Sequence, residues 1–111
     1  MESQILEITS EAADKKIKLD YSVLKKAVLT LRAINHPLRK EIMSLLEEKQ
    51  KMTVTELYVK LRIEQSVASQ HLAILRRADV LKTSRDGKFI YYSINTERVD
   101  EIANLVKLLA Q

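Results

Sequence analysis

Residues 65–77 read QSVASQHLAILRR, from Gln65 to Arg77, and the way this stretch divides around a helix axis organises the reading of the whole chain. At about 100° per residue, Ala68, Leu72, Leu75 and Asp79 fall in one narrow sector and His71 and Ala78 border it. Ser66, Gln70, Ala73 and Arg77 lie opposite. One face is apolar and the other short, polar and basic. Side chains of that kind suit a DNA major groove, with amides and hydroxyls at base edges and guanidinium groups on phosphate. An ordinary amphipathic surface helix has the same pattern, so the neighbouring segments decide between the two.

Immediately upstream, Thr53 and Glu56 have the spacing of a capping box, and Met52 can staple onto Leu57. They open a helix that turns Val54, Leu57, Tyr58 and Leu61 inward and stops near Arg62. Only Ile63 and Glu64 then separate it from the quoted stretch, the turn length of a helix-turn-helix. Downstream the period changes to two: Leu81, Thr83 and Arg85 alternate with Lys82 and Ser84 before Asp86-Gly87 and KFIYYSI. This is a β-hairpin with a type I′ turn signal, placed on the only glycine of the chain.

Further out, Asp20 is a plausible N-cap for a helix with a Leu24, Ala27, Val28, Leu31 and Ile34 stripe, and Leu29 and Ala33 sit off that stripe. Pro37, the only proline, ends that helix near Asn35 and starts another that runs to about Glu48, burying Leu38, Ile42, Leu45 and Leu46. Asn95 or Thr96 opens a last helix whose apolar residues cover about half its circumference, more than one small core uses. The surplus predicts a homodimer, with Leu24, Val28, Leu31, Ile102, Leu105 and Leu109 at its interface. Ile5, Ile8 and Ala12 recur at helical spacing and predict a short helix over residues 3–16. The expected fold is therefore mainly α with a small β-hairpin, in the order α-α-α-α-β-β-α of a winged helix-turn-helix. Residues 1–19 form an N-terminal helical extension, and residues 20–111 a DNA-binding and dimerisation domain.

Composition narrows the function. A chain of 111 residues fits one domain, and the net charge of +4 makes a polyanion a reasonable partner. Residues 65–88 carry five basic and two acidic groups, so the excess includes the candidate reading segment. The absence of cysteine removes disulfides and thiolate ligation, and no apolar run is long enough to span a bilayer, which predicts a cytoplasmic protein without a membrane partner. An enzyme is not expected. Ser69 and His71 on adjacent turns of one helix supply neither a cleft nor an oxyanion hole, and there is no Gly-rich phosphate loop.

With these blocks in order, the chain resembles the ArsR/SmtB group of bacterial winged helix repressors over about residues 21–110. His36, Pro37, Arg39, Ile42, Leu45 and Leu46 fit the family's first block, and Glu56 and Leu57 the second. Ser66, Ser69, His71, Leu72, Leu75 and Ala78 fit the third, and Arg85, Gly87, Tyr92 and Ile94 the wing. The resemblance implies a dimeric, sequence-specific transcriptional regulator, in the main a repressor, bound to a pseudo-palindromic operator in double-stranded DNA. A winged helix module that binds protein without reading DNA is the competing expectation. Asp79 and Val80 stand where the family usually has Gly-Leu, which predicts a shifted or strained exit from the recognition helix.

Base contacts are expected from Gln65, Ser66, Ser69 and Gln70, with a first-turn capping role as the alternative for Ser66. Phosphate and wing contacts are expected from Arg77, Lys82, Arg85 and Lys88. For His71, beside the core sector, a hydrogen-bonded structural role is favoured over DNA contact; His36 reads as a helix-start device, and Arg39 as either a DNA contact or a brace. No residue pattern identifies an inducer.

The family's metal sensors place cysteines in the helix before the turn, or Asp and His ligands in the last helix. Here the first pattern reads Glu56-Leu57-Tyr58-Val59-Lys60, and the last helix contains no histidine. A lysine ammonium does not ligate zinc at neutral pH, and Asp100 and Glu101 without nitrogen or sulfur partners make a weak site. No cofactor and no metal sensing through these sites are therefore expected. Equilibrium dialysis against zinc and nickel should find no tight stoichiometric uptake, and such uptake would overturn the expectation.

Overall fold

The order of elements in the computed structural model, which describes residues 5–10 and 15–110, with side chains from residue 21 onward, follows the helical and strand periods downstream of residue 20. An antiparallel hairpin, β1 (Ile5–Ser10) and β2 (Lys15–Asp20), precedes α1 (Tyr21–Ile34), α2 (Pro37–Lys49), α3 (Val54–Leu61) and α4 (Gln65–Arg77). The wing follows as β3 (Leu81–Asp86) and β4 (Phe89–Ile94), and α5 (Thr96–Leu109) closes the chain. No helix among the described residues is long and apolar enough to cross a membrane.

The expected N-terminal helix is corrected to a hairpin. Of the span read as helical, residues 3–4 and 11–14 lie outside the described residues. The same sequence also carries period two, with Leu6 and Ile8, then Ile17 and Leu19, alternating with Glu7, Thr9, Lys16 and Lys18. The register pairs Leu6 with Leu19, Ile8 with Ile17 and Glu7 with Lys18. β-Branched Ile5, Ile8, Thr9 and Ile17 favour that choice over a helix that would have to nucleate in isolation.

Each later helix begins where local chemistry supplies a cap. His36 holds extended backbone before Pro37, and its Nδ1 accepts the Leu38 amide at 3.1 Å. Thr53 and Glu56 complete the capping box, with the Thr53 hydroxyl accepting the Glu56 amide and the Glu56 carboxylate accepting the Thr53 amide. Met52 and Leu57, the staple pair, are both buried. The turn into α4 is the three residues Arg62, Ile63 and Glu64, with Arg62 in the left-handed region at φ 56°.

The core gathers Ile42 and Leu46 of α2, Met52, Leu57 of α3, Leu72 and Leu75 of α4, and Val80 and Leu81 at the start of the wing. Truncating a fully buried leucine such as Leu72 to alanine costs about 2–5 kcal/mol at sites of this kind. Met52 also pairs its backbone with Tyr92 in both directions, at 3.1 and 2.8 Å, which ties β4 to the start of α3. α1 turns part of its stripe inward, with Leu24 and Ile34 half-buried. Ala27, Thr30 and Ala33 are buried, whereas Val28 and Leu31 remain outside, because small side chains let α1 approach the other helices closely.

Two turns refine the reading. In the wing, Asp86 pairs with Phe89, so the two-residue loop is Gly87-Lys88 and not Asp86-Gly87. Gly87 has φ +62° and Lys88 is not among the positive-φ residues, which is the type II′ pattern and not type I′. At the exit of α4, Asp79 takes φ 65° where glycine is usual. Its amide donates to Arg76 O at 2.9 Å and that of Val80 to Leu75 O at 3.2 Å, the paired bonds of a Schellman motif, with Val80 and Leu75 both fully buried. The helix therefore ends on schedule, and the cost is one non-glycine residue in the left-handed region. Asp79→Gly should raise stability by about 0.5–1 kcal/mol, and Asp79→Ala should not, in urea denaturation of the two variants.

Candidate nucleic-acid interface

α4 presents two distinct faces. Ala68, Leu72 and Leu75 are wholly buried, while Gln65, Ser66, Ser69, Gln70, Ala73, Arg76 and Arg77 are exposed. Glu64 precedes the helix without a side-chain capping bond, so the first-turn amides keep their donor capacity at the end that carries Gln65 and Ser66. A helix N-terminus of this kind favours anionic groups such as phosphate.

The orientation of that face is locked from behind. Arg39 of α2 donates through Nε to Ala33 O at the end of α1, and its Nη1 lies 3.2 Å from His71 Nδ1. A guanidinium only donates, so His71 Nδ1 accepts and the imidazole is neutral there, with its proton on Nε2. The His36 ring lies 4.8 Å from that of His71. Arg39 is thus a brace joining α1, α2 and α4, and His71 and His36 have the structural roles expected of them. Burial holds the His71 imidazole below its ordinary value of 6.5, with smaller contributions from the adjacent His36 and Arg39.

Beside α4, the wing carries Lys82, Arg85 and Lys88, all exposed. Arg85 Nε donates to Gly87 O at 3.0 Å, which folds its guanidinium onto the turn. Lys88 Nζ lies 5.5 Å from the Phe89 ring centroid and Lys51 Nζ 4.7 Å from that of Tyr91, so the outer wing holds two ammonium groups over aromatic faces. Lys51 was not singled out from sequence, since only the pairing of β4 with Met52 brings it to the wing. Phe89 and Ile90 are about half exposed near the tip.

Arg77 stands apart from the other expected contacts. Twelve residues of helical rise put it about 18 Å along the axis from Gln65, where it lines a cleft with Lys26 and Arg98. Of the residues expected at a subunit interface, Val28, Leu31 and Leu109 are exposed, Leu24 and Leu105 are half-buried, and Ile102 is buried inside the protomer. Val106 and Leu108 extend the exposed apolar surface of α5.

Comparison with known proteins agrees with this architecture. Residues 36–83 match the family of bacterial regulatory proteins described as arsR. The chain is 37% identical over 89 residues to the transcriptional repressor PagR of Bacillus anthracis, covering 80% of this chain and 89% of that one. The crystal structure of PagR superposes with a TM-score of 0.67 over 78% of this chain and 98% of that chain. The transcriptional activator HlyU of Vibrio cholerae is 32% identical over 84 residues, covering 76% of this chain and 77% of that protein. At 23% identity and a TM-score of 0.67, covering 81% of this chain and 82% of that one, the homodimeric winged helix-turn-helix DNA-binding domain Mb0332 of Mycobacterium bovis shares the fold.

The His71 environment sets a pH dependence. Its folded-state value is lowered, so the unfolded chain takes up the proton first as pH falls; the stability from neutral His71 is present above 6.5 and lost as pH drops through the folded value. Urea denaturation between about pH 7 and about pH 5 should show stability falling with pH, and His71→Gln, which keeps an acceptor for Arg39, should flatten that slope. An unchanged slope would remove His71 as its source.

Proposed function

This chain belongs to the arsR family of bacterial regulatory proteins, transcriptional regulators rather than enzymes, and from that premise we propose that it is a homodimeric repressor reading a pseudo-palindromic operator in double-stranded DNA. The observation that carries the reading is the division of α4: a sector of three fully buried side chains holds it in place, and a sector of amides and hydroxyls faces outward. Gln65, Ser66, Ser69 and Gln70 contact bases, glutamine offering adenine a bidentate pair. Lys82, Arg85 and Lys88 contact the backbone, with the wing tip over the minor groove.

Dimerisation uses α1 and α5, where Val28, Leu31, Val106, Leu108 and Leu109 leave apolar area that a single protomer does not cover. A two-fold axis through that face sets two copies of α4 into successive major grooves, about 34 Å apart or a multiple of that distance. Three wing cations per protomer, six in the dimer, would make affinity fall about 10³-fold between about 50 and 200 mM salt. Repression follows if the bound dimer occludes a promoter; the repressor PagR supports that direction. The family's metal sites are unused, since the positions that carry ligands in metal sensors hold Tyr58 and Lys60 here.

Selection from random DNA duplexes followed by sequencing should enrich one palindromic motif, and enrichment of none would favour a protein-binding winged helix instead. Gln70→Ala should cost about 1–3 kcal/mol and relax preference at one position. Lys88→Ala, which removes one contact from each protomer of the dimer, should weaken all sequences alike and reduce the salt slope by about two. The reverse pattern would exchange the two roles.

A further inference from the structure

Two apolar side chains, Phe89 and Ile90, stand next to the Gly87-Lys88 loop at the tip of the wing, each 51% exposed. Neighbours along a strand point to opposite faces, so Phe89 stands on the face of its cross-strand partner Asp86 and Ile90 on that of Arg85. The tip is therefore apolar on both of its faces. Phe89 is also backed by Tyr91, with ring centroids 6.5 Å apart.

The cations of the tip are engaged at the turn itself. Arg85 Nε donates to Gly87 O at 3.0 Å, and Lys88 Nζ lies 5.5 Å from the Phe89 ring centroid. An arginine that reads a narrow minor groove has to extend into it, and this one is folded back onto the loop. What the tip offers is apolar area flanked by positive charge. That combination suits a duplex, where cations meet the phosphates bordering the groove and apolar side chains enter between them.

We propose that Phe89 and Ile90 form an apolar wedge that enters the minor groove beside each half-site and selects deformable base steps there. The inference rests on operator reading by α4 and adds a second source of specificity to it. A strand layer with side chains on both faces is about 10 Å thick, whereas the undeformed minor groove is about 6 Å wide. Entry of the tip thus opens the groove and unstacks the step beneath it. Pyrimidine–purine steps, TA and CA/TG, yield to this readily, and stiff, narrow A-tracts resist it. The flanks are read through their deformability, without a base hydrogen bond.

The test is selection from random duplexes with the full chain, scored separately for the central motif and for the base pairs flanking each half-site. The wild-type protein should enrich TA and CA/TG steps over A-tracts at the flanks by about tenfold. The double variant Phe89→Ser/Ile90→Ser should lose the flank preference and keep the central motif, which also shows that it is folded. Phe89→Leu, which retains an apolar tip, should keep both. A-tract enrichment, flanks without preference, or a double variant that keeps the flank preference or loses the central motif with it would each overturn the wedge while leaving operator reading in place. A wild-type selection that enriches no central motif would remove the operator reading and the wedge with it.

Discussion

The packing of Leu72 and Leu75 against Ile42, Leu46 and Leu57 is the contact on which the rest depends. All five are essentially inaccessible, and they come from three different helices, so removing any one leaves a cavity the others cannot fill. Because the α-helix repeats every 3.6 residues, fixing this sector also fixes what faces outward. The polar positions of α4 need no scaffold of their own.

Polar contacts then remove the remaining freedom. A helix seated only by leucines can roll or slide by a fraction of an ångström with little penalty, since dispersion is non-directional. The Arg39 guanidinium restricts this by reaching Ala33 O on one side and His71 on the other. This arrangement requires a neutral imidazole, and partial burial supplies one. The two histidines of the chain are consequently structural: one starts α2 and the other anchors α4.

Local signals were the legible ones. The capping box at Thr53, the helix start at Pro37 and the bounds Gln65–Arg77 follow from side chains within four residues of one another, and they stand in the structure as read. What failed or shifted depends on competition or on distant contacts. Residues 5–20 carry two periods at once, and pairing with a second strand decides between them. Gly87 was correctly placed in a turn, but the strand register, which selects Gly87-Lys88 as the loop, is a property of both strands. On α1, Thr30 and Ala33 join Ala27 of the stripe on the buried side, because close approach matters there more than hydropathy. In the candidate site, helical angle located the outward polar positions of α4, whereas the separation of Arg77 and its company with Lys26 and Arg98 arise only when α1 and α5 fold back.

Asn95 gives the architecture a mechanical character. Its side-chain oxygen accepts the Arg98 amide to start α5, its Nδ2 donates to Asp79 O beyond α4, and its own amide donates to Val80 O at 2.8 Å as the wing begins. One residue thus knots the exit of α4, the base of the wing and the head of α5. The exit of α4 and the start of α5 are thereby tied through one side chain. In the proposed homodimer, a change in the distance between the two copies of α4 would accompany a change in the angle at which the protomers meet.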